Sequence, residues 1–255
     1  NLSVSGGTKK VTYNASFGYS NSKGTEKGND QNQFTARLNL GVQFNRAIRA
    51  SFNISGSSRN SSGYSGVSPQ SYALSTARSV PAFNEDGSRA YYQSYYEYQL
   101  NKTLGKNNTY GYNVLNEMDN SYSKNRGNTF NVSANLDFTI LPWLSYQVVG
   151  SMSYSGNDSE GYRGERTSYI ERNFRGYAVG AAEPGSDLYK AALMPFGGQL
   201  NTNSMGMTSL DMQHKLVASH TFNEIQRLNG MFGWEMRSSK STGKANTVWG
   251  YVPER

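Results

Sequence analysis

The stretch Phe34-Thr-Ala-Arg-Leu-Asn-Leu-Gly-Val-Gln-Phe44 puts Phe34, Ala36, Leu38, Leu40, Val42 and Phe44 on one parity. Thr35, Arg37, Asn39, Gly41 and Gln43 take the other. Period two sends successive side chains to opposite faces of an extended strand. After Asn45-Arg46-Ala47 the pattern resumes, with Ile48, Ala50, Phe52 and Ile54 against Arg49, Ser51, Asn53 and Ser55. It returns at Phe130, Val132, Ala134, Leu136, Phe138 and Ile140, interleaved with Asn131, Ser133, Asn135, Asp137 and Thr139. A turn at Leu141-Pro142 leads into Leu144, Tyr146, Val148, Met152 and Tyr154. Strands of soluble domains run about 5–6 residues, whereas a strand crossing a bilayer needs about 9–11. The length of these runs points to an all-β fold of antiparallel transmembrane β-barrel strands.

Composition agrees with that reading. Leu, Ile, Val and Phe total 45 of 255 residues, about 18%, and mean hydropathy is −0.70. So little apolar content borders on disorder when net charge is high, but the net charge is only +7 and 19 tyrosines add aromatic surface. The apolar residues are also concentrated on alternate positions. A barrel with a polar lumen needs apolar side chains only on the lipid-facing half of each strand. The chain has no cysteine, which excludes a disulfide framework and a thiolate metal site. No apolar run is long enough for a transmembrane helix.

Eight strands are expected. They lie near Leu2–Gly7 and at Val11–Asn21, Gln33–Phe44, Ile48–Arg59, Gly127–Ile140, Trp143–Gly156, Met207–Phe222 and Ile225–Lys240. Connections at 8–10, 45–47, 141–142 and 223–224 are tight, and those at 22–32, 60–126 and 157–206 are long. Tight and long alternate, so all tight turns share one end of the sheet, as in outer-membrane barrels with short periplasmic turns and long extracellular loops. Residues 1–255 thus read as part of one β-barrel domain. Tyr19, Phe44, Trp143, Tyr154 and Phe222 fall toward strand ends, where aromatic girdles sit. Within the longest loop, Ser68-Pro69 starts a short helix that Pro81 stops, and Glu85-Asp86-Gly87 is a turn.

The order of pieces resembles the SusC/RagA family of TonB-linked outer-membrane receptors. Leu2-Ser-Val-Ser-Gly-Gly7, Tyr13-Asn-Ala-Ser-Phe-Gly-Tyr19, Arg37-Leu-Asn-Leu40 and Phe52-Asn-Ile54 are similar to the family's early barrel strands. Ala77-Arg78, Pro81 and Asp86-Gly87 are similar to its first large extracellular loop. Asn113–Ser121 resembles an Asn-Pro…Glu…Asn-Ser run with Val114 in place of the proline. Leu228, Gly230, Gly233 and Glu235 resemble a Leu-x-Gly-x-x-Gly-x-Glu strand. The resemblance implies a 22-stranded barrel closed by a plug, a class that includes plugged transporters. Plug and remaining strands would lie outside these residues. It further implies residence in the outer membrane and TonB-dependent uptake of oligosaccharides or peptides. A TonB complex would act through the plug, and a SusD-like surface lipoprotein would be the partner.

Candidate sites are few. Tyr91, Tyr92, Tyr95, Tyr96 and Tyr98 form the densest aromatic cluster. Tyrosine offers a flat apolar face with a polar tip, suited to stacking on a sugar or on a protein partner. The same rings equally serve to pack a long loop against its neighbours. Asn39, Gln43, Asn53, Asn131, Asn135, Asp137 and Gln147 share the lumen face, either tuning passage or hydrating the wall. His214 and His220 fall on the apolar parity, about 20 Å apart along a strand, too far for a metal pair; a bulge or local tilt is expected at His214. Glu117/Asp119 and Asp158/Glu160 read as loop carboxylates, with calcium as the functional alternative to plain solvation. No catalytic constellation, cofactor motif or metal-ligand spacing appears, so no enzyme activity, cofactor or metal is expected. Arg and Lys are dispersed rather than clustered, which argues against nucleic acid; those at 21–27 and 102–106 suit an anionic leaflet or a partner. The alternative to a transporter is a small outer-membrane or surface β-domain acting as a binding or adhesion module.

Overall fold

The computed structural model describes residues 1–93, 111–222 and 226–253. Eight strands form one antiparallel sheet in sequence order: β1 (Leu2–Gly7), β2 (Val11–Lys23), β3 (Asp30–Gln43), β4 (Ile48–Gly63), β5 (Ser121–Leu141), β6 (Leu144–Arg163), β7 (Gly198–Phe222) and β8 (Gln226–Tyr251). Each strand pairs with the next, and the sheet does not close on itself. The eight strands and the alternation of tight and long connections are as expected. No described helix is long and apolar enough to cross a membrane.

The strands run further than the apolar pattern reaches. β5 starts at Ser121 rather than 127, β6 ends at Arg163 rather than 156, and β7 begins at Gly198 rather than 207. β8 continues to Tyr251. The long connections therefore shrink to 64–120 and 164–197. In the added segments polar residues dominate both faces and the few apolar ones, such as Tyr122, Tyr162, Leu200 and Val248, do not alternate along the strand, so the period-two signal is lost while the hydrogen-bonded ladder carries on. Asp158 and Glu160 accordingly lie on a strand and not in a loop.

The register places the apolar positions in one continuous belt. Val11 is in line with Val42, Ala50, Leu136, Val148, His214 and Trp234 across β2–β8. The belt is oblique to these rows. On β2 it runs from Val11 up to Tyr19. On β8 it runs from Leu228 up to Met236, and Met236 is in line with Tyr13. Both edges thus descend six residues, about 20 Å, over six strand spacings, about 29 Å. The slope is about 35°.

Neither sheet face is covered. Accessible surface is 17640 Å², against about 11,000 Å² for a compact monomer of this mass. Leu228, Met231, Phe232, Trp234 and Met236 are each more than half exposed. The buried side chains instead sit mainly in the long loops: Ala90, Val114, Ile170, Tyr177 and Met194, with Tyr162 at the top of β6.

Candidate functional site

The molecule offers three surfaces: a polar sheet face, an apolar sheet face, and a cap made by the long loops. On the polar face Asn14, Asn39, Asn53, Ser133, Ser151, Asp211 and Arg237 form one row. Asn53 donates to Ser133 Oγ (3.3 Å), and Arg237 reaches Asp211 (2.8 Å) and Glu235 (2.6 Å). Gln43, Arg49, Asp137, Gln147 and Lys215 make a second row nearer the tight turns. The lumen residues expected from sequence, Asn131 and Asn135 included, all fall on this face. Toward the loop end it is mostly hydroxyls, amides and glycine, with Ser57 and Thr129 hydroxyls 2.7 Å apart.

On the apolar face His214 is seated without a bulge; the β6–β7 and β7–β8 ladders run through it regularly. Its Nδ1 lies 2.5 Å from Tyr146 Oη, and its ring lies against Tyr146 and Trp234. The polar ring is tolerated because Tyr146 satisfies one nitrogen and aromatic faces flank it. His220 sits at the turn end of the belt between Trp143 and Phe222, as expected of an interfacial position.

The cap is built around the helix Val114–Asp119. Asn113 caps it by accepting from Asn116 N (3.1 Å) and donates to the carbonyls of Ala82 and Ala90, both at 2.8 Å. Asn116 donates to Arg166 O (2.7 Å), and Glu117 accepts from Ser168 N (2.8 Å). Asp119 forms an ion pair with Arg89. Residues 164–197 then fold back over this helix. Arg175 donates to Glu165 O (2.8 Å), and Glu165 accepts from Gly197 N (3.1 Å). Gly197 has φ +69°, and a Cβ there would fall 2.5 Å from Gly250 backbone atoms, so only glycine lets the loop meet β8.

Glu117 is 4% exposed and Glu171 is 9% exposed. Burial pushes the Glu117 carboxyl up despite its bond from Ser168. Burial, reinforced by the charge of Glu117, pushes Glu171 up to about 7, against the pull of Arg175 and Arg172. Reading Glu117 as a solvated loop carboxylate or a calcium ligand is therefore corrected. It is a buried acceptor, and Asp119 is engaged elsewhere. Asp158 and Glu160 bind Ser204 Oγ (2.6 Å) and Tyr122 Oη (2.5 Å). Neither the burial of Glu117 nor the existence of the Glu171 site has a local signature; both depend on 164–197 packing on a helix fifty residues earlier.

Of the tyrosine cluster, Tyr95, Tyr96 and Tyr98 lie outside the described residues. Tyr92 pairs with Tyr112 through backbone bonds of 3.2 and 2.8 Å, and its ring packs on Tyr72 and Tyr112. Burial, then Tyr72, holds the Tyr92 phenol above its ordinary range. Tyr91 is 54% exposed. The structure thus gives Tyr92 a packing role and leaves Tyr91 open.

No family model matches the chain, and no curated protein matches it. Among solved structures the fold is similar to a chain of the RagAB peptide transporter, with TM-score 0.63 and 14% identity over 98% of this chain. The match takes in 25% of that chain, so these residues span about a quarter of its length.

Proposed function

We propose that these residues form part of the wall of an outer-membrane transport barrel that imports oligosaccharides or peptides. The observation that carries this is the oblique belt. An apolar band bounded by two planes, drawn on strands tilted about 35–45°, must cross the pairing rows at that angle. The belt here does so at about 35°. The aromatics fit the same planes, with Tyr19, Phe34 and Tyr154 at one edge and Phe44, Trp143 and Phe222 at the other. The likeness to a peptide transporter supports transport; the hydroxyl- and amide-rich polar face suits a neutral, hydrated cargo such as a glycan.

In this reading the chain performs no covalent chemistry and needs no cofactor. The belt anchors the wall in lipid, the polar face lines the route, and the cap narrows its outer mouth. A plug moved by TonB opens the path, a SusD-like lipoprotein delivers cargo to the cap, and Tyr91 with Tyr95, Tyr96 and Tyr98 provides stacking surface. The test compares uptake of fluorescent oligosaccharides and peptides by cells with and without the gene, with and without a proton-motive-force uncoupler. Loss of one cargo class in both the deletion and the uncoupled cells is expected. Unchanged uptake of every cargo in the deletion strain overturns the proposal.

A further inference from the structure

Above the belt, on the same face, lies a polar hollow of about 670 Å³. Its lower row is Asn32, Asn60, Arg126, Asp158, Ser204 and Lys244, each directly opposite the next. Its upper row runs Lys124, Glu160, Thr202, Asn246. These positions share parity with the belt, so they face outward from the wall rather than into the lumen. On β5 and β6 the lower row stands four residues beyond Phe130 and Tyr154. At a tilt of about 35° that is about 11 Å above the belt's edge, and Lys244, eight residues beyond Met236 on β8, is about 22 Å above it, so the row slants upward through the layer of lipid headgroups and their sugars.

Two of the three acids lining this hollow are engaged, and Asp30 at its β3 margin makes no side-chain hydrogen bond or ion pair among the described residues. Asp158 is held by Ser204, and Glu160 by Tyr122. Lys124 rests on the Tyr122 ring with Nζ 4.6 Å from its centroid. Arg126 and Lys244 make no side-chain hydrogen bond or ion pair among the described residues, although Asp158 is opposite Arg126 in register. Two free cations and amides that hydrogen-bond hydroxyls make a mixed surface. It is complementary to an anionic, phosphorylated sugar.

We propose that this hollow binds the phosphate- and carboxylate-bearing sugar headgroup of an outer-leaflet glycolipid whose acyl chains lie on the belt below. The assignment rests on the membrane reading above and adds a specific ligand site to it. An approximate scale is about a fivefold loss of affinity for each cation removed near an anionic surface.

The test uses the intact native protein extracted in mild detergent, as wild type and as Arg126→Ser/Lys244→Ser. Glycolipid retained per protein is counted by native mass spectrometry. A drop of more than tenfold in the double variant is expected. Equal retention in wild type and variant overturns the site, as does loss of a bound protein rather than a glycolipid. A parallel arm labels Leu38→Cys, at the middle of the belt on β3, in whole membranes with a lipid-soluble and a water-soluble maleimide. Labelling from the lipid side with unchanged glycolipid retention sinks the site alone. Labelling only from water sinks the membrane reading and the site with it.

Discussion

At the scale of single residues, Glu117 and Glu171 carry the cap. Glu117→Ala removes the acceptor of Ser168 N and leaves a buried donor unsatisfied, at about 1–3 kcal/mol. Amides 164–180 are then expected to exchange faster with deuterium while those of β2–β4 do not change; uniform protection would show that Glu117 is not the clasp. Glu171 adds a pH dependence. Its carboxyl titrates near 7 in the cap against about 4.5 in an open chain. The folded cap therefore binds the proton more tightly. The stability that Glu171 adds is fully present below about pH 4.5 and is lost as pH rises through about 7. Deuterium exchange of the cap is expected to quicken from pH 5 to pH 8 beyond the intrinsic chemical rate, and Glu171→Gln to flatten that rise. A variant that keeps the full pH dependence assigns it to another group. The sequence marks Glu117 only as a loop carboxylate and does not mark Glu171 at all. Asn113–Ser121 was recognisable as a unit, but not the packing of Ser168 and Arg175 upon it.

Individual elements show where local sequence signals suffice. Ser68 and Pro69 start the helix Pro69–Ser75 as expected, with Ser68 Oγ accepting from Ser71 N at 3.3 Å, but the helix ends at the C-cap Thr76 and not at Pro81. That helix has no buried residue, so Ser68→Ala should cost only the cap, about 0.5–1 kcal/mol. Asn113 caps a helix of similar length but also ties it to Ala82 and Ala90. Asn113→Ala loses the cap and strands the Ala90 carbonyl, while Ala82 O keeps its bond from Ala90 N (3.1 Å), so about 2–4 kcal/mol is expected. Limited proteolysis of the 64–120 connection should separate them, with Asn113→Ala cut much faster than Ser68→Ala; equal rates would remove Asn113 from the cap's framework. The strands divide the same way. Their lower halves were legible because one face must be apolar, which forces the period of two. Their upper parts are not legible, because polar residues and glycine dominate both faces of β6 and β7 there and nothing in that composition distinguishes strand from loop.

For the molecule as a whole, the decisive quantity is the angle between the belt and the pairing rows. Each run of alternation is visible in the sequence, but the angle emerges only once the ladders fix which residue stands opposite which. Leu38 and Ser238 make the point. They lie in one row, in line through Ile54, Val132, Met152 and Leu210. Yet Leu38 is at the middle of the belt on β3, while on β8 the belt already ends at Met236. If the rows were parallel to the membrane plane, arginine would cost the same at both sites. If the wall is tilted by about 35°, Leu38→Arg places a charge near the bilayer centre, at about 2–4 kcal/mol, and Ser238→Arg places it near the interface, at about 0–1 kcal/mol. Asn39→Arg, one residue along β3 on the polar face, should be close to neutral. Unfolding of the intact native protein in lipid vesicles by guanidinium measures all three. A large loss for Leu38→Arg alone fixes both the lipid-facing side and the tilt. Equal losses at Leu38 and Ser238 would remove the tilt, and a greater loss at Asn39 than at Leu38 would turn the wall inside out.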